Sequence, residues 1–233
     1  MRVKEIVKKI IYGERSSSEA YIASMRRQGA KIGERVTIYS PRTTLIDMTR
    51  PWLIEIGNDV QITDGVTILT HGYDWSVLKG VYGEVLGSSG SVKIGNNVFI
   101  GMKTTVLKGV QIGNNVIIGA NSLVNTAIPD NCVAAGNPAR VIMPLDKYYE
   151  KRKAAQYQEA KELVQIYREK YKTEVDTKAL DEFFWLFSDG GDELLPCWKE
   201  KMELVGNAGY SYKKLKENNP LYEDLDAFLK SIE

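Results

Sequence analysis

The chain contains one histidine, His71, within Leu69-Thr70-His71-Gly72-Tyr73-Asp74-Trp75. Imidazole is the side chain best suited to accept a proton near neutral pH, and a positioned base typically contributes about 10²- to 10⁴-fold in rate. The residues that follow, Gly72 to Ser91, are rich in Gly, Ser, Tyr and charge. His71 is therefore expected where a regular element gives way to a long loop, a place where a base can face a cleft. Long loops without structure of their own are uncommon in compact domains and tend to be functional. A metal centre is not expected, because one histidine cannot supply a site built on several histidine ligands. Cys132 and Cys197 form neither a disulfide framework nor a metal-ligand spacing and read as free thiols.

The element that positions His71 is legible as a ladder. Ile94, Ile100, Val106, Ile112, Ile118 and Val124 recur every six residues, and Val98, Thr104, Val110, Val116 and Ser122 follow the first five at an offset of four. Helical burial recurs every third or fourth residue and a half-buried strand alternates every second, so neither produces this period. The hexad predicts a parallel β-helix, whose short strands wind round a prism and stack their aliphatics coil upon coil. Gly95, Gly101, Gly113 and Gly119, with Asn96-Asn97 and Asn114-Asn115, are expected at corners that demand positive φ.

An earlier stretch repeats the pattern through Ile32, Ile38, Ile56, Ile62 and Ile68, with Val36, Val60 and Val66 in the small position. Thr44 and Arg50 fall where aliphatics belong, which predicts an irregular coil or bulged insertion there. The spacing from Ile68 to Ile94 is not a multiple of six, consistent with a loop at 72–91 extruded from the prism wall.

Three regions follow: a helical N-terminal cap over 1–29, the prism over 30–144, and an α-helical region over 145–233. In the first, Val3, Ile6, Val7, Ile10 and Ile11 have helical spacing and Ser16 to Ser18 offer an N-cap. A cap is needed because an open β-helix end exposes unpaired strand edges. In the last region, residues 147–171 lack Gly and Pro and predict a long helix, with further helices near 177–187 and 222–232. Its aromatics, Phe183, Phe184, Trp185, Phe187 and Trp198, are expected to serve as core rather than as a ligand cage. The formal net charge of +1 gives no case for a nucleic-acid partner. No apolar run reaches transmembrane length and the N-terminus is too charged for a signal-peptide core, so a cytoplasmic location without an integral membrane segment is expected.

The hexad ladder, the His-Gly-Tyr-Asp-Trp loop, the run Val92-Lys-Ile-Gly-Asn-Asn-Val-Phe-Ile-Gly-Met102 and the ending Ala134-Ala-Gly-Asn-Pro-Ala-Arg-Val-Ile142 together resemble the hexapeptide-repeat acyltransferases. The resemblance covers residues 32–142 and is nearest to maltose and galactoside O-acetyltransferases and to acetyltransferases of polysaccharide biosynthesis. It implies a left-handed parallel β-helix, a homotrimer with active sites between subunits, and acetyl transfer from acetyl-CoA to an acceptor hydroxyl. His71 matches the family's general base, with the acceptor hydroxyl attacking directly and no acyl-enzyme formed. Phe99, Gly101, Met102, Gly119 and Ala120 match positions along the pantetheine arm, and Arg140 matches a basic residue near the nucleotide phosphates. Asn125-Thr126 stands where relatives often carry Thr-Lys, and Phe99 where the sugar enzymes carry Trp. Tyr73, Asp74, Trp75 and Tyr82 are the candidate acceptor-binding residues, able to stack on a sugar ring and hydrogen-bond its hydroxyls. Asp74, Glu84 or a backbone carbonyl is expected to orient the imidazole. Two other readings stay open: N-acetylation of a nucleotide-linked amino sugar, and a non-catalytic scaffold.

Overall fold

A computed structural model describes residues 3–190 and 194–232, which divide into two compact units, Met1–Tyr148 and Tyr149–Glu233. Met1 and Arg2 of the expected cap, and 191–193 and Glu233 of the expected C-terminal region, lie outside the described residues.

The first unit is a prism of three parallel sheets. One stacks β1 (Lys31–Ile32), β4 (Ile54–Ile56), β7 (Val92–Ile94) and β10 (Gln111–Ile112). A second stacks β2 (Thr37–Ile38), β5 (Val60–Ile62), β8 (Val98–Ile100), β11 (Val116–Ile118) and β13 (Cys132–Gly136), closed by the antiparallel β14 (Ala139–Pro144). The third stacks β3 (Leu45–Ile46), β6 (Thr67–Ile68), β9 (Thr105–Val106) and β12 (Leu123–Val124). All six ladder aliphatics from Ile94 to Val124 are buried in one cluster with Ile32, Ile38, Ile56, Ile62 and Ile68. Complete side-chain burial of this kind is worth roughly 1.5–3 kcal/mol per aliphatic, so the stacked column is the main source of cohesion.

Register explains where the hexad breaks. Ile94 pairs with Ile112, eighteen residues on, in an uninterrupted turn of the helix. Ile46 pairs with Ile68 in the third sheet, so the aliphatic sought at position 44 is supplied two residues later. Thr44 is buried beside it, its hydroxyl donating to the Thr63 carbonyl at 3.4 Å. The irregular coil is thus an insertion that leaves the sheet intact. Ile62 pairs with Ile100, and the excess over eighteen residues is the extruded segment.

Two expectations about corners and loop require correction. Gly95, Gly101, Gly113 and Gly119 do not adopt positive φ; Asn97 and Asn115 of the expected set do, at φ 55° and 56°, as do Arg35, Asp59, Lys103, Asn121 and Asn131. The glycines are required for contact between coils: a Cβ on Gly95 would lie 2.6 Å from the Gly113 carbonyl oxygen, and one on Gly101 2.5 Å from Ala120 N. The segment 72–91 is also not structureless, since it carries α3 (Trp75–Tyr82), none of whose residues is buried.

Two α-helices precede the prism. Ser17 caps α2 (Ser18–Arg27) by accepting from Ala20 N at 3.2 Å, and α2 sinks Tyr21, Ile22 and Met25 into the aliphatic column. Helix α1 (Val3–Tyr12) contributes no described side chain to that core.

The second unit has its own core. The long helix that enters it, α4 (Leu145–Tyr171), buries Ala160 and Val164 with Phe184, Phe187, Trp198 and Phe228. Phe184 and Trp198 stack at 5.5 Å, so these rings are packing and form no cage. Phe183 and Trp185 pack on the same cluster half-buried. The helix expected at 177–187 is instead a run of turns ending in a single 3₁₀ turn at Phe184–Leu186. Helices α5 (Pro196–Glu203), α6 (Ala208–Lys216) and α7 (Leu225–Lys230) complete the unit.

Candidate functional site

His71 stands three residues beyond β6, where the third sheet ends and the extruded segment begins. The neck of that segment is closed by backbone pairing: Gly72 N donates to Ser88 O at 3.0 Å and Gly90 N to Thr70 O at 2.9 Å. A histidine on such a clamped neck is fixed by the coil beneath it rather than by the loop beyond.

The group that fixes it is Asp47, immediately after β3 in the coil below. Asp47 Oδ2 lies 2.5 Å from His71 Nδ1 and also accepts from Thr70 N at 3.0 Å and Thr70 Oγ1 at 2.5 Å. Its Oδ1 accepts from Thr49 N at 3.1 Å and Thr49 Oγ1 at 2.6 Å. Burial opposes the charge on this carboxyl, but the donors from Thr49, Thr70 and His71 outweigh it and hold Asp47 well below the usual carboxylate range. An ionised carboxylate only accepts, so in the neutral ring Nδ1 carries the proton and Nε2 presents its lone pair. Thr49 Oγ1, 3.3 Å from Nδ1, has already given its hydrogen to Asp47. Tyr73 meets the imidazole edge-on, its ring centre 4.8 Å away.

The sequence missed Asp47, Thr49 and Thr70. Asp74 and Glu84, expected to orient the imidazole, are both exposed, and no hydrogen bond joins either to His71 among the described residues. The carboxylate comes instead from the preceding coil, because the Ile46–Ile68 register sets Asp47 under the chain leading to His71. Two further acceptor candidates are displaced from the imidazole to differing degrees: Trp75 stands half-buried at 6.1 Å from Tyr73, and Tyr82 is exposed at the far end of α3.

Five of the expected cofactor positions form one strip along the edge where the second sheet turns into the third. Phe99 projects outward from β8, in register with Ile117 of β11. Gly101 donates its N–H to Ile118 O at 2.8 Å and sits against Gly119 and Ala120, and Met102 accepts from Asn121 N at 2.8 Å. Gly119 continues the strip to Ala135, which pairs with Arg140 across the terminal hairpin. Phe99 and Met102 are exposed apolar side chains on either side of bare glycine backbone. Arg140 is exposed, with Nη1 held by the Ala139 carbonyl at 2.7 Å. His71 stands at a different edge, after the third sheet, so one chain does not by itself bring base and strip together.

Residues 91–126 match the family model described as bacterial transferase hexapeptide (six repeats). Protein CapG of Staphylococcus aureus is 39% identical over 124 residues, covering 53% of this chain and 71% of that protein. The chain belongs to the bacterial hexapeptide transferase family. Its fold is accordingly the left-handed parallel β-helix that the resemblance implied, with a helical cap and a helical extension. The galactoside O-acetyltransferase of Escherichia coli (strain K12) is 39% identical over 109 residues, 46% of this chain, which spans 51% of that enzyme. A solved galactoside acetyltransferase in complex with coenzyme A is 27% identical, with a TM-score of 0.44 over 64% of this chain and 86% of its own.

Proposed function

We propose that the protein is an acetyl-CoA-dependent O-acetyltransferase acting on a hydroxyl of a sugar or polysaccharide precursor, with His71 as general base. The observation that carries the reading is the contact of the buried Asp47 carboxylate with His71 Nδ1, which turns the Nε2 lone pair of the neutral imidazole outward for an acceptor. An alcohol is a weak nucleophile until its proton is removed. In the reaction, Nε2 takes that proton as the acceptor oxygen bonds to the thioester carbonyl carbon. The C–S bond then breaks, and the imidazolium returns the proton to the departing sulfur. Asp47 stabilises the imidazolium between these two steps and holds the tautomer that begins the next cycle.

The donor's pantetheine arm is assigned to the strip from Phe99 through Gly101, Met102, Gly119 and Ala120, with Arg140 toward the phosphates. Glycine at those positions lets an extended ligand reach the main chain, and a guanidinium offers phosphate a fork of donors. Because base and strip occupy different edges of the prism, we assign each reaction centre to the groove between two copies of a homotrimer. The chemistry belongs to residues 30–144, with 1–29 and 145–233 as appended helical regions, and the working compartment is the cytoplasm. Tyr73, Asp74, Trp75 and Tyr82 are retained as acceptor contacts, Tyr73 foremost because its ring touches the imidazole. Two relatives support this reading by name, one an O-acetyltransferase of galactosides and one described as a putative acetyltransferase, YvoF of Bacillus subtilis.

The test is thiol release from acetyl-CoA across a panel of sugars, amino sugars and nucleotide sugars. Turnover with a hydroxyl acceptor is expected, together with its loss by about 10²- to 10⁴-fold in His71→Ala while coenzyme A binding is retained. Turnover confined to amino groups would transfer the assignment to N-acetylation, and unaltered turnover in His71→Ala would remove the base.

A further inference from the structure

Helix α1 faces the wrong way for a core helix. At 100° per residue, Val7, Ile10 and Ile11 share one arc about 100° wide, and Lys8, Lys9 and Tyr12 share the other. A helix that docks on its own protein turns the apolar arc inward. Here the inward side is the polar one: Tyr12 lies under the Arg42 guanidinium, 4.6 Å from the ring centre, and Lys8 and Tyr12 line a cleft of about 640 Å³ with Arg15, Tyr39 and Arg42. The opposite arc is left to solvent, with Ile10 77% and Ile11 64% exposed.

Charge selects the occupant of that arc. The sequence of the helix carries three lysines against one glutamate, and Lys8 and Lys9 stand on either side of the arc in the helical register. A second copy of the helix laid against the arc would bring lysine borders together. An anionic lipid surface instead takes the apolar arc into the acyl boundary and pairs both lysine borders with headgroup charge, the arrangement that holds interfacial helices in place. We infer that α1 seats the protein on an anionic membrane surface, lying in the interface rather than crossing it. Among the described residues no helix is long and apolar enough to cross a membrane. The expectation that the whole segment 1–29 caps the prism therefore divides: α2 covers the end, and α1 is free for the bilayer.

The test is flotation of the full chain with two kinds of vesicle, pure phosphatidylcholine and phosphatidylcholine containing phosphatidylglycerol. Binding is expected to the second and not the first, and to weaken as salt is raised. Ile10→Asp/Ile11→Asp and, separately, Lys8→Glu/Lys9→Glu are each expected to reduce binding at least about tenfold, since both the apolar and the electrostatic contributions are required. These are surface changes on a helix outside the core, so circular dichroism and thermal unfolding should match the parent. Failure of the parent chain to float with the anionic vesicles overturns the inference. So does flotation that survives Ile10→Asp/Ile11→Asp, and so does a loss of assembly mass in that variant with no vesicle binding by the parent, which would give the arc to a second copy.

Discussion

The Asp47 carboxylate and the His71 imidazole meet across two stacked coils, Oδ2 2.5 Å from Nδ1, although twenty-four positions separate them in the chain. The contact is a product of register: Asp47 N donates to Ile68 O at 2.9 Å, locking the lower coil to the strand that delivers the histidine. The pair is therefore as rigid as the aliphatic column behind it, a condition that proton transfer rewards.

Asp47→Asn keeps the shape and removes the charge. An amide nitrogen turned toward Nδ1 donates instead of accepting, which places the proton on Nε2 and leaves no base for the acceptor. The expected result is a fall in kcat of about 10²- to 10⁴-fold with little change in the affinity for coenzyme A. Steady-state kinetics with a titration of coenzyme A separates the two. Parental turnover in this variant would show that the carboxylate does not set the tautomer.

Thr70 supplies two of the donors that keep Asp47 ionised, and its side chain is fully buried. Thr70→Val is expected to cost about 1–3 kcal/mol at neutral pH, the penalty for leaving a buried acceptor short of a partner. The sign of its pH dependence follows from the depressed carboxyl. A group whose folded-state pKa lies below its unfolded value stabilises the fold above the unfolded value and loses that contribution as pH falls toward the folded one. The difference between parent and variant in urea melts should thus be full at pH 7 and shrink below the ordinary carboxylate range. A gap that widened on acidification would contradict the assignment.

How much of this was visible in the sequence depends on the range of the interaction. The Ile94–Val124 ladder was legible because each coil repeats its burial locally, and the resulting period admits one architecture. Ile46 was missed because two inserted residues shift the phase, and a periodic reading has no means of recovering it without the neighbouring strand. Asp47 was missed for the same reason, since its value lies wholly in the coil above. A search for polar residues directly after ladder positions, aligned by the Ile46–Ile68 register, would have found it. Asp74 and Glu84 are near His71 in sequence, which in a coiled prism is a poor guide to proximity in space. Helix α3 escaped because its Gly80 and flanking glycines look like loop, while its fold contributes nothing buried.

Gly95 tests the close approach of coils away from the site. Any Cβ there meets the Gly113 carbonyl oxygen at 2.6 Å and carbon at 2.7 Å, both backbone and both held in the next strand register. Gly95→Ala is expected to destabilise by about 1–3 kcal/mol, as overpacking does, and to lower Tm with kcat preserved. Since φ at this position is not in the left-handed region, a neutral result would mean that the coils can part at little cost.

Asn115 separates backbone from side chain at a corner. Its φ is 56°, its Oδ1 accepts from Asn97 Nδ2 at 3.0 Å, and its own Nδ2 donates to Asn131 Oδ1 at 2.8 Å. Asn115→Gly loses the ladder but suits the conformation, whereas Asn115→Ala loses the ladder and is also strained. Alanine is expected to cost about 1–2 kcal/mol more than glycine in denaturant unfolding. Equal losses would place the whole effect in the hydrogen-bonded column.

Arg140 carries the last prediction because it divides the donor molecule in two. Its guanidinium is exposed, anchored at one nitrogen to the Ala139 carbonyl, and makes no ion pair with another described residue. If the charge serves the nucleotide phosphates, removing it weakens a charge-assisted contact worth about 1.5–3 kcal/mol. Arg140→Ala should then raise KM for acetyl-CoA by roughly tenfold or more and leave kcat in place, because the contact is made equally before and during transfer. Acetyl-pantetheine has the same reacting thioester and lacks those phosphates, so the variant and the parent should use it alike. An equal defect with both donors would locate the arginine's effect in the terminal hairpin itself and detach it from the phosphates.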